Sequence, residues 1–175
     1  NIYSSFCNSS IKRINLGQIK EFYCSFKSCP QLDSIGEIST GNIYDSFVGC
    51  PIDSVALSNQ VTEIYGYSFR DCPSLRYLRL SNNLGKIGDG SFSGCNSLKE
   101  IMMLSGNVPT LGTQGNWASC FGDYTRRHCV LYVPFGCREK YSTAWHFDRV
   151  VEVDDSSPID TTRLNVEYTD IHVDT

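Results

Sequence analysis

The residues that could do chemistry are few. The chain has three histidines, His128, His146 and His172, and nine cysteines. No histidine lies near a Ser or Cys that reads as a nucleophile, although a triad is assembled by the fold and not by sequence order. Nucleophile elbows, phosphate loops and helix-borne histidine pairs do not occur. His128-Cys129, with Cys120 and Cys137 nearby, offers zinc-type donors, but the spacing fits none of the usual zinc signatures. A disulfide between Cys120 and Cys129 fits better than zinc, because both lie in an irregular segment that closure would stabilise, but free thiols are the first expectation for the pair. Cys7 and Cys24 could meet in the same way. There is no CxxC pair, and nine is an odd number, so not every thiol can pair within the chain. With no convergent acid, base and nucleophile, the expectation is a protein that is not an enzyme and uses no cofactor.

Composition bounds what must hold these residues. The 175 residues are 41% hydrophobic and 19% charged, with Lys plus Arg 15 and Asp plus Glu 19, for a net charge of −4. Such a chain is globular and long enough to bury a core. It lacks the basic footprint of a nucleic-acid binder. No apolar run approaches the roughly 18–20 residues of a membrane helix. The sequence starts at Asn1 inside what reads as a structural unit, so a fragment is expected, with any signal or lipid anchor outside it.

Internal repetition organises the rest. Ser25-Phe26-Lys27-Ser28-Cys29, Ser46-Phe47-Val48-Gly49-Cys50, Ser68-Phe69-Arg70-Asp71-Cys72 and Ser91-Phe92-Ser93-Gly94-Cys95 are copies of one unit, with a weaker one at Ser5-Phe6. The Phe positions 6, 26, 47, 69 and 92 are spaced by 20, 21, 22 and 23 residues, within the range of solenoid repeats. After each turn comes a short alternating run: Ile11-x-x-Ile14-x-Leu16, Ile52-x-x-Val55-x-Leu57, Leu75-x-x-Leu78-x-Leu80 and Leu98-x-x-Ile101-x-Met103. Alternation of that kind predicts a half-buried strand. Leu32-x-x-Ile35-Gly36-Glu37-Ile38 departs from it and predicts a bulge or a shifted strand. A second apolar beat follows at Ile19 and Phe22, Val61 and Ile64, and Leu84 and Ile87. One rung cannot bury its own apolar face, so stacked rungs must supply the core. Stacking places the Phe rings in an internal spine. It also places Cys29, Cys50, Cys72 and Cys95 in a ladder whose parallel side chains do not converge for disulfides, so free buried thiols are expected there.

The outward positions of the strands form columns across the rungs. One holds Lys12, Asp33, Asp53, Arg76 and Lys99. A second holds Arg13, Ser34, Ser54, Tyr77 and Glu100. A third holds Asn15, Gly36, Ala56, Arg79 and Met102, with the second rung's register open. Asp53 beside Arg76 reads first as an ordinary cross-strand ion pair. The sharper reading is a partner-binding patch of Arg76, Tyr77, Arg79, Lys99 and Met102, because Arg and Tyr are enriched at binding hot spots and exposed Met adapts to varied partners. The small residues Ser34, Gly36, Ser54 and Ala56 leave a shallow floor beside it. A flat face of this kind suits a protein or extended peptide better than a small molecule.

The Ser-Phe-x-x-Cys-x-x-Leu-x-x-Ile unit resembles the BspA-like leucine-rich repeats of bacterial and protist surface proteins. A second likeness, to that family's C-terminal capping module, rests on Val108-Pro109-Thr110-Leu111, on Leu131-Tyr132-Val133-Pro134-Phe135-Gly136-Cys137, and on Tyr141, Trp145, Phe147 and Val150-Val151-Glu152. The resemblance implies a leucine-rich-repeat solenoid, mainly β with short turns, of about five rungs with a parallel strand face and a short C-terminal cap helix. Arg138 to Trp145 is the stretch that could be helical. Expected boundaries are 1–107 for the repeats, 108–153 for the cap and 154–175 for a linker and extended tail. That tail has an alternating segment from Arg163 to Val173 and could begin a further domain. The resemblance also implies an extracellular or cell-surface protein of the adhesion or protein-binding type, with a host or cell-surface protein as partner, or else a structural spacer within a larger surface protein. Nucleic-acid binding and membrane insertion are not expected.

Overall fold

The computed structural model describes residues 2–16, 21–39, 42–112 and 119–154; the segment from Arg163 to Val173, His172 and Ile19 lie outside them. The middle rungs each contribute two very short strands, one to each of two six-stranded sheets, whereas the first alternating run, Ile11 to Leu16, makes only an isolated bridge between Arg13 and Ser34. The first sheet takes the alternating runs: β3 (Glu37–Ile38), β5 (Ser54–Leu57), β7 (Tyr77–Arg79), β9 (Glu100–Met102), β11 (Val130–Pro134) and β12 (Arg149–Val153). The second takes the later beat: β1 (Ile2–Tyr3), β2 (Glu21–Tyr23), β4 (Asn42–Tyr44), β6 (Glu63–Ile64), β8 (Lys86–Ile87) and β10 (Thr110–Leu111). All neighbouring strands are parallel and in sequence order along each sheet, as a one-directional coil of rungs requires. Inward residues of both sheets, such as Val55 and Leu78 from one and Ile64 and Ile87 from the other, join a single core.

The Ser-Phe turn owes its regularity to three contacts. The Ser25, Ser46 and Ser68 side chains are buried, and the Ser25 and Ser68 hydroxyls donate to the carbonyls of Tyr23 and Tyr65 at 2.9 and 2.7 Å. The Phe rings stack along the coil from Phe6 through Phe26, Phe47, Phe69 and Phe92, with centroids 5.2–5.4 Å apart. The second residue after each Phe (Asn8, Ser28, Gly49, Asp71 and Gly94) has positive φ, a conformation open to Gly and tolerated by short polar side chains. Backbone bonds from Phe26, Phe47 and Phe69 to the Ser carbonyl of the following rung, at 2.8–2.9 Å, continue the ladder through the turn.

The spine has a sixth ring. Phe121 stacks on Phe92 at 5.3 Å and forms a parallel bridge with it. It lies 29 residues after Phe92 and follows Cys120 instead of Ser, so it stands outside the five rungs read from the repeat. The end beyond it is closed by helix α1 (Asp123–His128), β11, helix α2 (Arg138–Trp145) and β12. Trp145 and Phe147 lie against Phe121 at 5.7 and 5.3 Å. Trp145 Nε1 donates to the Pro109 carbonyl at 3.0 Å, and the Tyr141 hydroxyl to Ser105 at 2.9 Å. These two bonds clamp α2 to the chain entering β10. Helix α2 spans the stretch read as helical and ends at His146 in the left-handed conformation. No helix among the described residues is long and apolar enough to cross a membrane.

Candidate recognition face

Strand register decides which outward side chains meet on the first sheet. Ser54, Tyr77, Glu100, Val130 and Arg149 are consecutive partners across β5, β7, β9, β11 and β12. Glu37, Ala56, Arg79, Met102, Tyr132 and Val151 are the next such row. Glu37, not Gly36, therefore faces Ala56. Ser34 pairs with Arg13 one rung earlier, and Ile35 and Gly36 fill the gap that Val55 alone spans on β5. Gly36 is the extra residue of a β-bulge, with φ +57 and its hypothetical Cβ 3.4 Å from Asn15 Oδ1. That bulge corrects the third column and takes Gly36 out of the outward floor.

The expected patch is partly assembled. Tyr77 is half-buried, Arg76 and Lys99 are exposed, and all three stand at or beside the entrance of their strands. Arg76 Nε donates to Asp53 Oδ1 at 2.6 Å, so the cross-strand ion pair is present. Arg79 reaches past Ala56 to pair with Glu37 two strands away, and its Nε is buried with no hydrogen-bond partner among the described residues. Met102 departs from its expected exposure: only 8% of it is accessible, because it is flanked in register by Arg79 on one side and Tyr132 on the other. It is a filled position beneath larger neighbours, not an adaptable surface residue.

The face extends further toward the C-terminal end than the repeat columns suggested. Tyr132 on β11 and Val151 on β12 continue the Arg79 row, and Phe135, just past β11, is 79% exposed. The signal was present in Tyr132-x-Pro134 and Val151-x-Val153, which alternate with the buried Leu131, Val133 and Val150. The aromatic and apolar groups thus gather at the end of the sheet near α2, with Arg79 and the exposed Arg149 beside them.

The cysteines serve the core. All nine are free. The Cys29, Cys50, Cys72 and Cys95 thiols donate to the carbonyls of Phe6, Phe26, Phe47 and Phe69 one rung back, at 2.9, 2.9, 3.1 and 3.0 Å. Burial pushes the Cys50 thiol up to about 12 and the Cys129 thiol up to about 12. The neighbouring Cys95 thiol, together with burial, pushes Cys72 well up, and burial raises Cys120. None of these is a ready nucleophile, since the thiolate is the reactive form.

Cys120 and Cys129 are both buried and both free, so no disulfide joins them. Cys7 donates to the Cys24 carbonyl at 2.6 Å instead of meeting its sulfur. The zinc-type donors are likewise apart: His128 is exposed and bonds Tyr124 O at 2.8 Å, while Cys129 is buried. Among the described residues no group of three or more His, Cys, Asp or Glu is placed to hold a metal.

Comparison with known proteins agrees with this architecture. The sequence pattern described as "BspA type Leucine rich repeat region" matches residues 23–115 in six copies. No curated protein matches the chain. The two parallel sheets, the Ser-Phe turns and the six-copy match together place the chain in the BspA-type leucine-rich-repeat family.

Proposed function

We propose that this chain is a recognition module of an extracellular or cell-surface protein, and that it binds a host or cell-surface protein through the outer face of the first sheet. The BspA-type repeat is a non-enzymatic interaction fold often associated with surfaces and adhesion. One observation carries the reading. The row Arg79, Met102, Tyr132 and Val151, with Tyr77 beside it and Phe135 at its end, gathers aromatic and Arg side chains on a flat parallel sheet whose folding is already secured from the other side. Protein interfaces are built around such aromatic and Arg anchors, ringed by polar groups.

A spacer role in a larger surface protein is the second reading, and the ion pairs favour it. Arg76 and Arg79 already have carboxylate partners on their own face, so a partner must compete for them. The two readings separate in a binding screen of the purified chain against extracellular-matrix proteins, run beside Tyr77→Ala/Arg79→Ala. The Arg79–Glu37 pair is worth only about 0–1 kcal/mol, and the melting curve of the variant establishes that it is folded before its binding is compared. Binding that is lost in the folded variant supports recognition through this face. Binding that is retained moves recognition elsewhere, and an absence of binding favours the spacer.

A further inference from the structure

The second sheet carries an aromatic column that core packing does not demand. Tyr3, Tyr23, Tyr44 and Tyr65 precede Phe6, Phe26, Phe47 and Phe69 by three or four residues. Their rings stack face to face, with centroids 5.0, 4.2 and 3.7 Å apart and planes within 19°. The next two places in the column are Gly88 and Gly112. The N–H groups of Tyr65, Gly88 and Gly112 donate to the carbonyls of Ile43, Ile64 and Ile87 at 2.9, 2.7 and 2.7 Å, which fixes the register. The stack therefore ends at Tyr65, whose ring packs on Tyr44 and whose next neighbour in the column, Gly88, bears no side chain.

A pocket of about 390 Å³ opens at that point, with Tyr65, Gly88 and Gly112 in its lining and Glu63, Lys86 and Asp89 around them. Its floor is bare of necessity. A Cβ on Gly88 would come within 2.4 Å of the Gly66 nitrogen, and one on Gly112 within 2.1 Å of Asp89 Oδ1. The volume falls at the lower end of the roughly 300–1,000 Å³ that ligand pockets occupy.

We infer that this pocket binds a neutral carbohydrate ring, stacked on the Tyr65 ring that lines it. The negative face of an aromatic ring attracts the weakly positive C–H groups of a flat sugar face. Around the rim, the Glu63 and Asp89 carboxylates and the Lys86 ammonium offer acceptors and donors to the ring's hydroxyls. Lys86 already pairs with Glu63 at 3.1 Å, and it is one ammonium facing two carboxylates, so an anionic ligand such as a phosphate is disfavoured. An aromatic side chain from a peptide would cover these polar groups without replacing their hydrogen bonds to water, which costs free energy; sugar hydroxyls replace them. The site is on the opposite sheet from the recognition face and stands or falls separately from it.

The test titrates the isotope-labelled full chain, by amide-shift NMR, with the methyl glycosides of glucose, galactose, mannose and N-acetylglucosamine in turn. N-acetyltyrosine amide and inorganic phosphate are the competing probes. The expected result is saturable movement of the Gly66, Gly88 and Gly112 amides with at least one glycoside, and saturation transfer concentrated on one face of its ring. Tyr65→Phe keeps that binding, whereas Tyr65→Ala weakens it by roughly tenfold, as the loss of an aromatic contact of this size would. Glu63→Gln, on the rim and away from the stack, also weakens it and serves should Tyr65→Ala disturb folding. Movement with none of the glycosides, movement confined to other parts of the chain, or unchanged affinity in a folded Tyr65→Ala protein overturns the inference. Saturable binding of only the tyrosine amide or only phosphate overturns it equally, in favour of a peptide or an anion.

Discussion

Phe69 shows how much a single position carries in this coil. It is fully buried between Phe47 at 5.2 Å and Phe92 at 5.4 Å, so truncation removes contacts with two rungs at once. Phe69→Ala is expected to cost about 3–5 kcal/mol in denaturant unfolding, as buried aromatic truncations do; a loss below about 1 kcal/mol would contradict a continuous spine. The thiols are the second residue-scale device. Each ladder Cys fills a small inner corner and donates to a Phe carbonyl one rung back. Because burial holds Cys50 at about 12, above its unfolded value of 9.0, the folded state keeps a proton that the unfolded state gives up. That stabilising contribution is complete below the unfolded pKa, and it is lost as pH rises from there through the folded value. Unfolding midpoints measured across the alkaline range should therefore fall above pH 9, and less steeply in Cys50→Ala. A curve that is identical in the two proteins would mean that the thiol contributes nothing.

At the scale of elements, the parts that announce themselves in sequence are those built by period. The alternating runs gave the first sheet, and the later beat at Val61-x-x-Ile64 and Leu84-x-x-Ile87 gave inner positions of the second. Helix α2 was legible because Tyr141 and Trp145 share a face four residues apart. Helix α1 was not, since only Thr125 is buried in it and Gly122 provides no side-chain cap. Phe121 was missed because Cys120 replaces the Ser of the turn and 29 residues separate it from Phe92. Met102 was misplaced for a different reason: alternation gives the direction of a side chain but not the height of its neighbours. The tyrosine column was readable in principle, since Tyr3, Tyr23 and Tyr44 each stand three residues before a Phe, but its meaning depends on where it stops. A clamp between elements gives the prediction at this scale. Tyr141→Phe removes the hydroxyl bonds to the Ser105 and Asn107 carbonyls at 2.9 and 3.2 Å and should cost about 1–3 kcal/mol, the range for a buried acceptor left without its donor. Hydrogen exchange should show the added opening in α2 and the strand-free segment before β10, and not in β5 or β7.

The whole molecule divides its work between inside and outside. One core runs from Leu16 to Val150 without a break, so the rungs and the elements over the last of them share one interior. The outward rows of both sheets are thereby released from folding and can vary from rung to rung. On the first sheet they place Tyr77 and Arg79 on one side of Met102 and Tyr132 and Val151 on the other; on the second they end an aromatic stack at a glycine floor. The most direct measurement is a hydrogen-exchange footprint of the chain in complex with a matrix protein captured in the screen. Recognition through the first sheet predicts slowed exchange in β7, β9 and β11, with the β4 and β6 amides unchanged. Protection confined to the second sheet or to the α1 and α2 segments, with β7, β9 and β11 exchanging as in the free chain, would contradict it.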